Sequence, residues 1–102
     1  MIKKILGIKK SYKHTVAICC IVKDENSYLP EFIDYHLKTG VSHFYIYDNE
    51  SAIAVAETLK SYVDNQIVTI ERVVGKGIQL EVYRQCLDHY GAICQWLSLI
   101  HI

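Results

Sequence analysis

Polar and apolar positions along this chain switch repeatedly between two periods. Thr15-Val16-Ala17-Ile18-Cys19-Cys20-Ile21-Val22 is a nearly unbroken apolar run, the pattern of a strand buried on both faces of a sheet. The polar cluster Lys23-Asp24-Glu25-Asn26-Ser27 ends it. Leu29, Phe32, Ile33, His36 and Leu37 then recur at helical spacing and predict a helix with a single apolar stripe. Ser27 is placed to cap that helix, Pro30 falls in the tolerant first turn, and Gly40 stands where the helix should stop.

The cycle repeats. His43-Phe44-Tyr45-Ile46-Tyr47 reads as a second strand closed by Asp48-Asn49-Glu50-Ser51, and Ala52, Val55, Ala56, Leu59, Tyr62 and Val63 form a second helical stripe with Ser51 as its cap. Asp64-Asn65 turns into a third strand, Gln66-Ile67-Val68-Thr69-Ile70. Gly75-Lys76-Gly77 breaks the chain before a third helix with the stripe Gln79, Val82, Tyr83, Cys86, Leu87 and Tyr90. Gly91 ends it, and Trp96-Leu97-Ser98-Leu99-Ile100 opens a fourth strand. Strands alternating with helices predict a doubly wound α/β fold, β-α-β-α-β-α-β, with a parallel sheet. Numbering the predicted strands in chain order, the expected arrangement is 3-2-1-4 with right-handed crossovers, and the first strand the most buried. The expected domain covers residues 15–102, preceded by an arm, residues 1–14.

Composition changes this picture only at the edges. A chain of 102 residues with 51% hydrophobic positions and eight tyrosines is one small globular domain. Lysine plus arginine and aspartate plus glutamate balance at 11 each, so there is no general pull toward nucleic acid or anionic membrane. The arm is the local exception, with Lys3, Lys4, Lys9, Lys10 and Lys13. It reads as a solvated, frayed end, with weak membrane-surface contact as the second reading. Ile5-Leu6-Gly7-Ile8 is far too short for a signal-peptide core or a span, and the expectation is a cytoplasmic protein, at most peripheral to a membrane. The cysteines Cys19, Cys20, Cys86 and Cys94 form no C-x-x-C pair, so buried thiols are expected rather than a zinc or redox site.

In sheets of this kind, ligands bind beyond the carboxyl ends of the strands. Lys23-Asp24-Glu25-Asn26, Asp48-Asn49-Glu50-Ser51 and Val73-Val74-Gly75-Lys76-Gly77 all fall there. The phosphate-loop pattern G-x-x-x-x-G-K-[ST] is absent, and no glycine follows the first strand as a dinucleotide fingerprint requires. No Ser/His/Asp or Cys/His signature is present, and His14, His36, His43 and His89 are scattered, each expected at the surface or the edge of the core.

Taken together, Val22-Lys23-Asp24-Glu25-Asn26, Tyr28-Leu29, Glu31-Phe32-Ile33-Asp34-Tyr35-His36 and the run from Gly40 to Ser51 resemble the start of family 2 and family 92 glycosyltransferases. Gly77-Ile78-Gln79, Tyr83, Cys86-Leu87 and Trp96-Leu97 continue the resemblance in order. It implies a GT-A-type, Rossmann-like fold that binds a nucleoside-diphosphate sugar, most readily a uridine one, and passes the sugar to the hydroxyl of a glycan or other acceptor. By that resemblance Glu25, Asp48, Asn49 and Gln79 are the nucleotide-sugar-binding residues. Asp48 would accept a charge-assisted hydrogen bond from the uracil imide, and Tyr83 is expected in the core. Two departures stand out: Ile53 occupies a position that is often acidic, and His101 stands where an aspartate–x–aspartate motif should begin. The resemblance implies Mg2+ or Mn2+ for a full-length parent, while this chain's own residues are expected to supply no metal ligand and no catalytic residue. The chain reads as the nucleotide-binding part of an incomplete domain, inactive alone. The alternatives are a non-catalytic α/β interaction module and a receiver-like phosphoacceptor domain using Asp48. For the receiver, Asp24-Glu25 fits the acidic pair that should follow the first strand, but no later strand delivers the lysine.

Overall fold

The computed structural model describes residues 2–4 and 13–101. In chain order the elements are β1 (Ile2–Lys4), β2 (His14–Val22), α1 (Leu29–Lys38), β3 (His43–Asn49), α2 (Val55–Thr58), α3 (Lys60–Asp64), β4 (Val68–Val73), α4 (Gln79–Tyr90), a 3-10 turn (Gly91–Ile93) and β5 (Cys94–His101). They build one sheet in the order β1-β5-β2-β3-β4. The four strands β5, β2, β3 and β4 are mutually parallel, in the order expected from the sequence, and the fold is Rossmann-like α/β. Nothing in the lysine-rich arm announced β1, which runs antiparallel along β5 with Ile2 opposite Ser98 and Lys4 opposite Trp96. Residues 5–12 of the arm, with Lys9 and Lys10, lie outside the described residues.

Strand alternation divides the core in two. Ile18, Cys20 and Val22 of β2 face Leu29, Phe32 and Ile33 of α1 and Val55 and Leu59 of the α2 region. Ala17, Cys19 and Ile21 face the opposite way, against Val82 and Cys86 of α4. The chain steps from β2 to β3 to β4 in one direction, then crosses back past β2 to β5. A constant crossover hand therefore puts α4 on the face opposite α1. The two central strands are the most enclosed. β3 is buried at every position but Asn49, whereas β2 is exposed or half-buried at its first three residues. This corrects the expectation that β2 would be the most buried strand.

Local chemistry explains most element boundaries. The Glu25 carbonyl accepts the N–H groups of Tyr28 and Leu29, so a turn launches α1. Tyr28 occupies the cap position without a side-chain bond, and Ser27 does not cap. At the other end, the Gly40 N–H reaches the Leu37 carbonyl and the Val41 N–H reaches the His36 carbonyl. That pair of bonds is a Schellman closure, and it needs the positive φ of +108° at Gly40.

The predicted second helix is kinked rather than continuous. Leu59 leaves helical geometry at ψ 22° while its side chain stays fully buried. Bonds from Leu59 N–H to Val55 and from Val63 N–H to Leu59 bracket the kink. Of the predicted stripe, Val55 and Leu59 are buried and Tyr62 half-buried, while Ala52, Ala56 and Val63 are exposed. Beyond it, β4 starts two residues later than predicted and runs on through Glu71-Arg72-Val73.

Candidate nucleotide-binding rim

The loops at the carboxyl ends of β2, β3 and β4 are bound to one another by their own polar side chains. Asp24 N–H donates to Ser51 Oγ at 2.9 Å, and Ala52 N–H donates to Asp24 Oδ1 at 2.8 Å. Asn26 Nδ2 donates to the Ile53 carbonyl at 2.9 Å, while Thr58 Oγ1 donates to Asn26 Oδ1. Gly75 N–H donates to Glu50 Oε2 at 3.1 Å. Asp24 and Glu50 both adopt positive φ, 56° and 59°, which non-glycine residues rarely do. The rim is thus built from tight turns locked by side chain–backbone bonds.

Asp48 is the most enclosed of the rim residues, with no solvent exposure. Alternation from Phe44 and Ile46 directs its carboxylate to the α1–α3 face of the sheet. There Oδ1 accepts the Ser51 N–H at 3.1 Å and Oδ2 accepts the Val55 N–H at 3.0 Å. Arg72, paired with Asp48 across β3 and β4, brings its guanidinium to 3.4 Å. Burial by itself pushes the Asp48 carboxyl up, but the Ser51 and Val55 hydrogen bonds and Arg72 outweigh it and hold the group below its usual range. Asp48 therefore performs from the strand the capping of α2 that was expected of Ser51, whose own position is a buried link between loops.

Asn49, one residue on, points to the other face. It lines a cleft of about 220 Å3 with Ile21 at the end of β2 and Gly77, Ile78 and Gln79 at the start of α4. The cleft stands at the carboxyl ends of the central strands, beside the point where the chain reverses its direction across the sheet. Asn49 Oδ1 is buried without a hydrogen-bond partner among the described residues. Gln79 Nε2 donates to Tyr83 Oη at 3.2 Å. Tyr83 packs half-buried against the α4-side core, and burial raises its hydroxyl despite the Gln79 bond. Of the four residues singled out in the sequence, Asn49 and Gln79 meet in this cleft. Asp48 is enclosed on the opposite face. Glu25 is half-buried in the β2–α1 loop, and the bonds that join its loop to the β3 loop run through Asp24 and Asn26 instead.

Among the described residues, no group of three or more His, Cys, Asp or Glu side chains is gathered to hold a metal ion. Both Asp48 oxygens are already engaged with backbone N–H groups. The divalent cation that the resemblance implied was expected in a longer parent, and the described residues gather no site that fits it. The four cysteines are buried free thiols, and burial pushes Cys20 up to about 12.

One cluster escaped the sequence reading. His14 and His43 stack at 4.2 Å and 14° at the amino ends of β2 and β3, beside a hollow of about 430 Å3. His43 Nε2 lies 2.8 Å from Thr69 Oγ1, and Tyr45 stacks on Tyr90 nearby. No local pattern signals it: the parallel pairing of β2 and β3, with Ala17 opposite His43, sets their amino ends at the same edge.

Comparison with known proteins points one way. Glycosyltransferase family 92 proteins of Ricinus communis and of Oryza sativa subsp. japonica are 24% identical over 98 residues and 25% identical over 91 residues. A third, from Arabidopsis thaliana, is 24% identical over 96 residues. These matches cover 94%, 87% and 92% of this chain but only 18%, 15% and 16% of the relatives, so the chain spans less than a fifth of their length. No solved structure is a significant match. The model of glycosyltransferase family 92 matches residues 12–98, a stretch that takes in β2 through most of β5 and every rim loop, and on that match the chain belongs to glycosyltransferase family 92.

Proposed function

We propose that this chain is the donor-binding part of a GT-A-type glycosyltransferase, and that its rim cleft takes the nucleotide of a nucleoside-diphosphate sugar, uridine diphosphate first. The observation that carries the reading is the meeting of Asn49 and Gln79, from separate loops, in one cleft at the carboxyl ends of the central strands. Family membership supplies the reaction class. A primary amide presents a donor and an acceptor side by side, which matches the imide edge of uracil. The apolar walls from Ile21 and Ile78 suit a planar base. Asp48 takes a supporting part in this reading: it holds the loop after Asn49 and does not touch the base. Transfer to an acceptor hydroxyl is proposed for the longer protein, and no step is assigned to a metal.

Calorimetry on the 102-residue chain with uridine diphosphate, and with adenosine diphosphate as the control, tests the reading. Uridine diphosphate should bind better, and Asn49→Ala or Gln79→Ala should each weaken it by about threefold to tenfold, the scale of one hydrogen bond. Equal affinity for both nucleotides, or none for either, would leave the non-catalytic interaction module as the better account.

A further inference from the structure

We propose that Glu50 is a positioning residue of the cleft: its carboxylate is a strut that holds the glycine turn before α4, and through it the wall carrying Ile78 and Gln79. The proposal rests on the reading of that cleft as the nucleotide site. Glu50 follows Asn49 directly, and its φ of +59° folds the chain back at the end of β3. From there Oε2 accepts the Gly75 N–H at 3.1 Å, joining the β3 loop to the β4–α4 loop.

What Glu50 holds is otherwise weakly restrained. Gly75 and Gly77 adopt φ of +116° and +66°, conformations open to glycine and costly to other residues. Val74 is 76% exposed, so little packing fixes the segment. Among the described residues, the Glu50 bond is the hydrogen bond that ties residues 74–77 to another loop. Gly75 has the Ile78 side chain as its neighbour: a Cβ built there would come within 3.2 Å of Ile78 Cγ2. A displacement of Gly75 is therefore felt at Ile78, and Ile78 is followed by Gln79. Asn49 on one side and Gln79 on the other keep their spacing because Glu50 spans the gap between the loops that carry them. A shorter carboxylate, or none, would free the wall without touching the nucleotide.

The test uses two variants of the full chain. Glu50→Gln keeps an acceptor oxygen at the same reach. Glu50→Gly removes the acceptor but suits the positive φ, so the fold itself is not put at risk. Amide exchange by NMR, without nucleotide, should speed up about fivefold at Gly75 in Glu50→Gly and stay near wild type in Glu50→Gln, with melting temperatures little changed. Uridine diphosphate affinity should fall by a similar factor in the glycine variant and return with glutamine. Unchanged exchange at Gly75 in Glu50→Gly overturns the strut. So does a glutamine variant that behaves like the glycine one. If wild type binds no uridine diphosphate, the nucleotide reading fails, and the exchange at Gly75 still decides whether the strut exists.

Discussion

Replacing Asp48 by asparagine changes one oxygen into an NH2 group and leaves the volume of the site alone. The consequence follows from geometry. Both carboxylate oxygens accept backbone N–H groups, from Ser51 at 3.1 Å and Val55 at 3.0 Å, in a place with no solvent exposure. An asparagine satisfies one of these donors and turns an NH2 toward the other. A buried N–H left without an acceptor costs about 1–3 kcal/mol, so Asp48→Asn should destabilise by about 2 kcal/mol. Asp48→Ala, which orphans both donors, should cost about 3 kcal/mol or more. Against a stability of roughly 5–15 kcal/mol for a domain, either loss is measurable by urea unfolding. Acid provides a second readout. The folded carboxyl is held below its ordinary range, so its contribution is present above the unfolded value near 4 and is lost as pH falls through the folded one. An Asp48→Asn variant within about 0.5 kcal/mol of wild type, at the lower edge of what such a bond contributes, would refute the account of Asp48 as the cap of α2.

Two further outcomes are expected. His43 is held down to about 4, first by burial and then by His14 and Lys13, with only the Gln66 backbone opposing. The unfolded chain therefore takes up a proton near pH 6.5 that the folded chain refuses. About 2–3 kcal/mol of stability, complete above pH 6.5, should disappear between pH 6.5 and 4. Urea midpoints across that range should show the loss, and His43→Gln should flatten it. Gly40→Ala should cost about 1–2 kcal/mol in thermal or urea unfolding, because a Cβ at Gly40 meets nothing within 4 Å and only the φ of +108° resists the side chain.

Where burial and period decide structure, the sequence was readable. The run from Thr15 to Val22 read as an inner strand, and the stripe Leu29, Phe32, Ile33 placed α1 on it. The positive φ at Gly40 was foreshadowed by a glycine at the end of that stripe. What was hidden depends on contacts between distant segments. No local pattern signals that Ile2–Lys4 pairs with β5, or that Glu71 is drawn into β4 with its carboxylate accepting the Tyr90 hydroxyl. The kink at Leu59 keeps a buried side chain in the core at the expense of a straight helix. For the site, Asn49 and Gln79 were found through family resemblance, and their meeting is a matter of topology. Asp48 is the instructive residue. Its place after Phe44 and Ile46 already put it, by the period of two, on the face covered by α1, where a carboxylate needs internal donors and finds them in the Ser51 and Val55 N–H groups.

The central claim is that the cleft between Asn49 and Gln79 is the nucleotide site, and amide chemical-shift mapping of the full chain titrated with uridine diphosphate tests it most directly. The account predicts saturable shifts concentrated at Ile21, Asn49 and residues 75–79, with the amides around His14, His43 and Thr69 at the opposite rim unmoved. Shifts centred on that amino-end hollow or on the outer surface of α1, with residues 49 and 75–79 silent, would contradict it.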